Sequence, residues 1–295
     1  MSPVARAACN RKKAVFLALL FSAMAVFPQR VISLAPGLTE IVFAVGRGAT
    51  LVGVTKFCDH PPEAREIEKV GGFLDVSMEA LVALDPDIVI AYPEHAARMK
   101  SLPPRVRSVT VGHGRLSDLL ASMLEIGRVL DGRKAAERLV GSIRQRLRRV
   151  SLRVRGKKPP RVLFIAGRNA DELKNMFIIG NNDFLNDLLR VAGGVNAYRG
   201  KIAYPSISLE TVIILDPEFI FEISSHYEGI ADERIFALWR PLSMVSAVKA
   251  GRVRIIRDPS WLRPGPRVAG VAEELSRALH PQRSAPAVPK HGRND

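Results

Sequence analysis

Residues 77–90 read SMEALVALDPDIVI, and residues 208–221 read SLETVIILDPEFIF. Serine, glutamate, leucine, aspartate and proline coincide at one constant offset, and most other positions are apolar in both copies. Each serine is placed to cap a short helix by accepting a hydrogen bond from its first turn. Each Asp-Pro step stops that helix, because the residue before a proline is pushed out of the helical region. The apolar run that follows reads as a buried strand. The same helix-to-strand unit thus occurs twice, which predicts two lobes of like construction with Glu79 and Glu210 at equivalent places.

Outward from the first copy, short apolar runs alternate with amphipathic stretches, the mark of an α/β sheet. Strands are expected at 31–34, 51–54, 87–91 and 106–111, with helices at 78–84, 116–130 and from Thr39, as a cap, to Val45. These make a first lobe over 26–130. Around the second copy, strands are expected at 161–165, 176–179, 218–222 and 253–256, and helices at 183–191, 209–215 and 267–279. These make a second lobe over 158–280, and the proline- and arginine-rich stretch 281–295 reads as a disordered tail. The joining segment 131–157 has no proline before Lys158, and it carries Leu139, Val140, Ile143, Leu147 and Val150 at helical spacing. A continuous helix there rises about 30 Å, which predicts a rigid spine behind two Rossmann-like α/β lobes and a ligand cleft between them.

The first 25 residues read as a secretory signal peptide. Arg11, Lys12 and Lys13 precede an apolar run from Ala14 that ends in Ala23-Met24-Ala25. That run is shorter than the roughly 20 residues a membrane-spanning helix needs. Cys9 precedes it, where a lipid-attachment cysteine has no place, so Cys58 is the single cysteine of the expected exported chain and no internal disulfide can form. The formal charge of +15 falls to +11 once Arg6, Arg11, Lys12 and Lys13 leave with the leader. Almost all of it sits between Arg128 and Lys158, where twelve basic residues face only Asp131 and Glu137. Such a run is a solvated helix face or a contact for anionic lipid or another polyanion. A nucleic-acid module is not indicated, because only 6% of residues are aromatic and no recognisable binding motif occurs.

Catalytic signatures are missing: the chain has no G-x-S-x-G, H-E-x-x-H, phosphate-loop or dinucleotide-binding motif. Its six histidines are scattered singly. A metal site would require His60, His95, His113 and His226 to converge, and a lone histidine is more often a satisfied or surface residue. Cys58 and His60 in the turn FCDHPPE are two ligands of a soft-metal site, not a whole one.

The runs VISLAPGLTEIVFAVG, LVGVTKFCDHPPEA, VGGF and SMEALVALDPDIVIAY resemble the N-terminal lobe of periplasmic receptors for cobalamin, siderophores and haem. These receptors have a helical backbone and serve ABC importers. FLNDLLRVAGGVNAY, IAYPSISLE and SWLRPGPR resemble their C-terminal lobe, and the D-x-P-P-E-A turn is most similar to the corrinoid receptors. The resemblance covers about residues 30 to 280. It implies a monomeric exported receptor with no catalytic residues and no resident cofactor. Its cargo would be cobalamin or a related corrinoid, or alternatively an iron siderophore or haem, and its partner a permease with its ATPase. A secreted metal-dependent enzyme is the reading from a different class. The resemblance further implies permease docking through Glu79 and Glu210, and ligand contacts from His60, Phe73, Tyr92, Tyr204, Trp261 and Arg267. Where His60 stands the corrinoid receptors tend to have Tyr, and where Phe73, Tyr92 and Tyr204 stand they tend to have Trp. His60 is offered either as an axial metal ligand or as a hydrogen-bond partner of a ligand amide.

Overall fold

The computed structural model describes residues 29–169, 171–224 and 229–281. The expected leader, nearly all of the expected tail, and His226 lie outside the described residues. The first lobe runs β1 (Val31–Ser33), α1 (Pro36–Ala44), β2 (Leu51–Val54), α2 (Met78–Ala83), β3 (Ile88–Ala91), β4 (Arg107–Thr110) and α3 (Leu116–Val129). Its four strands are all parallel in the order β2-β1-β3-β4. The central pair is buried throughout, as continuous apolar strands covered on both faces should be.

α4 (Arg133–Val154) follows. The second lobe runs β5 (Arg161–Gly167), β6 (Met176–Ile178), α5 (Phe184–Val191), β7 (Val195–Asn196), β8 (Ser206–Ile207), α6 (Leu209–Leu215), β9 (Phe219–Ile223), α7 (Asp232–Trp239), β10 (Val253–Ile256) and α8 (Val268–Leu279). Its sheet has the order β10-β9-β5-β6-β8, with β6 antiparallel to both neighbours and β7 pairing the start of β5.

The internal repeat is structural as well as sequential. Ser77 Oγ accepts from Ala80 N at 3.2 Å, and Ser208 Oγ accepts from Thr211 N at 3.4 Å. Asp85 and Asp216 end the two helices in left-handed conformation, with φ of +43° and +37°, which aspartate tolerates better than most residues. The copies also share a tie not visible in the quoted stretches. The Arg30 guanidinium donates to the carbonyls of Leu84 and Asp85, and the Arg161 guanidinium to those of Leu215 and Asp216. Arg30 N donates to Asp87 at 2.7 Å and Arg161 N to Glu218 at 2.9 Å. Val31 pairs with Ile88, and Val162 with Phe219, so the strands too are matched.

α4 spans 22 residues, about 33 Å at 1.5 Å per residue. It buries Ala136, Val140, Ile143, Leu147, Val150 and Val154 against α3, α5 and α8. One hydrophobic core passes from Leu38, Ile41 and Met123 through this stripe to Leu188, Phe164, Trp261 and Leu275. The lobes therefore share one core on the sheet faces turned to α4, while the other face of each sheet buries a cluster of its own.

One local expectation is corrected. Thr39 does not cap α1, which begins three residues earlier with a proline in its first turn. Thr39 is buried inside the helix, and its hydroxyl lies 2.9 Å from Ser33 Oγ and 3.2 Å from Cys58 Sγ.

Candidate functional site: the cleft between the lobes

In a parallel α/β sheet, ligand-contacting groups collect where strands end and the chain turns into the next element. All four strands of the first lobe deliver residues to one cleft of about 760 Å³: Pro36 after β1, Phe57 and Asp59 after β2, Tyr92 and Glu94 after β3, and His113 after β4. Phe73 joins them. The opposite wall carries Phe184 and Tyr204, and the segment before α8 closes the floor with Leu262, Arg263 and Pro264.

Tyr92 anchors the first wall. It is almost wholly buried, its hydroxyl donates to the Pro264 carbonyl at 3.2 Å, and burial pushes the phenol pKa well above its ordinary value. Phe73 stands edge-on to it at 6.5 Å between ring centroids, and the His113 ring lies 4.1 Å away. His95 sets both aromatics from behind. Its Nδ1 accepts from Tyr92 N at 3.1 Å, while its Nε2 donates to the Phe73 carbonyl at 2.7 Å. His113 Nε2 faces the Glu94 carboxylate at 3.0 Å.

Across the cleft the half-exposed Tyr204 donates its hydroxyl to Asp183, which caps α5 by accepting from Leu185 N at 2.7 Å. Asp183 is 1% exposed. Burial raises its carboxyl pKa, although the Tyr204 hydrogen bond opposes the shift. Burial and then the adjacent Asp183 charge push the Tyr204 phenol upward.

Two ion pairs tie the segment before α8 to the first lobe. Arg263 pairs with Asp59, one contact being 3.2 Å. Burial would raise the Asp59 carboxyl, but the Arg263 hydrogen bond and charge outweigh it and hold the pKa below its ordinary value. Arg267 grips the buried Glu40 with two bonds of 2.6 and 2.9 Å. A third tie joins the helices, with Arg115 at the start of α3 bound to Asp187 of α5 at 2.6 Å.

Of the six ligand contacts implied by resemblance, the structure brings Phe73, Tyr92 and Tyr204 together. The other three do not line the cleft. Trp261 is 1% exposed and lies in the shared core, 5.4 Å from Phe221 and 6.4 Å from Phe164, with Nε1 donating to Glu274. Arg267 is engaged with Glu40 behind the cleft floor. His60 is exposed and outside the cleft wall, although its neighbour Asp59 lines it. Cys58 is buried while His60 is exposed, so the turn does not present them as a ligand pair, and burial raises the thiol pKa. Among the described residues no group of three or more histidines, cysteines and acidic residues is arranged to hold a metal. Glu94, Phe184 and Arg263 were not named by the sequence reading, and His113 only as one of four histidines that would have to converge on a metal. Their common signal is position, since each follows a strand or stands at the edge of a helix that opens on the cleft.

Glu79 and Glu210 are both exposed in the first turn of their helices. The Ser208 hydroxyl hydrogen-bonds Glu210 and holds its carboxyl below the ordinary value. Because each helix runs back antiparallel to the strand it feeds, both carboxylates stand at the cleft end of their lobes.

Residues 31–259 match the family described as periplasmic binding protein. The chain belongs to that family. It is 28% identical over 255 residues to the vitamin B12-binding protein of Vibrio cholerae, covering 84% of this chain and 88% of that protein. It is also 28% identical to an ABC transporter substrate-binding lipoprotein of Bacillus subtilis, over 86% of this chain and 81% of the relative. A solved periplasmic haem-binding protein of Pseudomonas aeruginosa superposes with a TM-score of 0.73 at 26% identity, covering 88% of this chain and 95% of that one. The family is one of binding proteins, and among the described residues no helix is long and apolar enough to cross a membrane.

Proposed function

We propose that this protein captures a corrinoid between its lobes and hands it, chemically unchanged, to an ABC importer permease driven by its ATPase. The observation that carries the reading is the cleft. Its volume suits a large ligand, and Phe73, Tyr92, Phe184 and Tyr204 offer aromatic faces to a flat, partly apolar macrocycle while Glu94, His113 and Asp59 give polar orientation. The likeness to a vitamin B12-binding protein supports the same cargo. Exposed Glu79 and Glu210, one on each lobe, fit charge pairing with permease arginines, which sets orientation and on-rate. On this reading the receptor acts as an exported periplasmic monomer without a resident cofactor.

Titration with cyanocobalamin, followed calorimetrically and by its visible spectrum, tests the assignment. Saturable one-to-one binding is the expected result, and Phe73→Ala is expected to weaken it roughly tenfold. Haem is the second reading, favoured by the likeness to the Pseudomonas aeruginosa protein. Binding of haemin with none of cyanocobalamin would replace the first reading by the second. Replacing Glu79 and Glu210 together with alanine is expected to abolish uptake while leaving ligand affinity intact, and unchanged uptake would remove the docking assignment.

A further inference from the structure

The outer face of α4 is left unused by the receptor function. Lys134, Arg138, Arg144, Arg148, Arg149 and Arg153 are all exposed and make no ion pair among the described residues. At 100° per residue they occupy about half the helix circumference, centred on Leu152, which is 58% exposed. Arg155, Lys157 and Lys158 continue the charge beyond the helix end. The sole acidic residue of α4, Glu137, is already held by Arg133 at 3.0 Å.

This face stands at the end of the molecule away from the cleft. α1 starts at the cleft with Pro36 and ends beside the start of α4, where a Cβ on Gly132 would lie 2.9 Å from the Val45 carbonyl. α5 starts at the cleft with Phe184, and the turn after it reaches the end of α4, where a Cβ on Gly193 would lie 2.8 Å from Val154. The unpaired cations of α4 are therefore gathered at the back, away from the cleft and from Glu79 and Glu210.

A second observation points to a phosphate. Beside the end of α4, Arg153, Ser276, Arg277 and His280 line a concavity of about 440 Å³. Ser276 is 1% exposed, and its Oγ has no hydrogen-bond partner. His280 Nε2 donates to the Gly193 carbonyl at 3.1 Å, which holds the ring in place. A buried hydroxyl without a partner costs free energy unless a ligand supplies one, and the two arginines that line the same concavity suit a tetrahedral anion.

We propose that the back face is a docking surface for an anionic phospholipid bilayer, with the concavity at Ser276 receiving one headgroup phosphate. Clusters of four to eight cations on one helix face are the electrostatic footprint of such surfaces, and an exposed leucine among them suits the headgroup boundary. A nucleic acid would seek aromatic platforms, and α4 has no aromatic residue. Docking in this orientation turns the cleft and its two carboxylates toward the aqueous side, so on the proposed function a receptor held this way must leave the bilayer before it meets its permease.

The test is sedimentation of the purified protein with vesicles of phosphatidylcholine, with and without phosphatidylglycerol, across a salt series. Binding is expected with phosphatidylglycerol alone and should fade as salt shortens the screening length from about 10 Å at 0.1 M to about 3 Å at 1 M. Joint Arg148→Glu, Arg149→Glu and Arg153→Glu substitution is expected to weaken it about a hundredfold or more, with the thermal unfolding midpoint unchanged. Ser276→Ala should weaken it severalfold. Equal binding to both vesicle types, or unimpaired binding by the triple variant, would overturn the surface. Competition by free glycerol phosphate at a concentration too low to screen charge would make the ligand a soluble phosphate ester. Retention on heparin with no vesicle binding would make it another polyanion.

Discussion

The two copies of the repeat sit in sheets that differ, and the difference lies where the cleft is built. In the first lobe α1 carries the chain back between β1 and β2, so the strands are parallel and their ends supply Tyr92, Glu94 and His113 in regular order. In the second lobe β5 is followed by β6 with no crossover helix between them, so β6 must return antiparallel. β8 then pairs with β6, and the turn before it brings Tyr204 over Asp183. Regular βα succession thus makes one wall, and an interruption of it makes the other. Where the copies agree, at Ser77 and Ser208, Asp85 and Asp216, Arg30 and Arg161, they build the scaffold and set Glu79 and Glu210 at equivalent exposed positions.

If the lobes truly share one core, the largest effects come from its centre. Trp261→Ala is expected to cost roughly 3–5 kcal/mol and to lower both lobes in a single transition under urea, followed by far-ultraviolet circular dichroism. Two separated transitions would show that the shared core does not join the lobes. Next is the tie beneath the cleft floor. Arg267→Ala leaves the buried Glu40 carboxylate without its partner and is expected to cost roughly 3 kcal/mol, most of it recovered in an Arg267→Ala, Glu40→Ala double variant.

The equivalence of the copies is sharpened by matched substitutions. Ser77→Ala and Ser208→Ala should each cost about 1 kcal/mol, and a large disparity would mean that one cap is not formed in solution. The smallest effects concern pH, and there the walls oppose each other. The Asp59 pKa is lowered on folding, so its contribution is present above the ordinary aspartate value of about 3.9 and is lost as pH falls through the lower folded value. The Asp183 pKa is raised, so its burial disfavours the folded state progressively as pH climbs from about 3.9 through the higher folded value. Asp59→Asn should therefore flatten the acid limb of the stability profile, and Asp183→Asn should remove a loss on the side above it. Thermal unfolding across acidic buffers distinguishes them.

How much was legible beforehand follows the same division. The repeat, the spine and most strands could be read because apolar periodicity and Asp-Pro punctuation are local signals. α7 and the two-residue strands β7 and β8 lack such a signal and are formed by packing on elements already in place. In the site, Phe73, Tyr92 and Tyr204, implied by resemblance, line the cleft from beside strand ends or turns. Trp261 and Arg267, carried over in the same way, lie in the core and in an ion pair with Glu40, because matching positions in a family say nothing of burial. Glu94, His95 and His113 are single polar residues whose partners are distant or on another turn, so only the folded chain could pair them.

The passage of a shared core through α4 also has a consequence for how the molecule is made. The partner that covers the far side of this helix is α8, which contains the last of the core residues described. A chain synthesised or exported from its first residue can cover part of the apolar stripe of α4 with α3, but the side that faces α8 stays open until Val268–Leu279 arrives. The first half cannot be completed before the last helix is made, and a fragment that stops short of α8 is left with an open seam for chaperones or proteases to find.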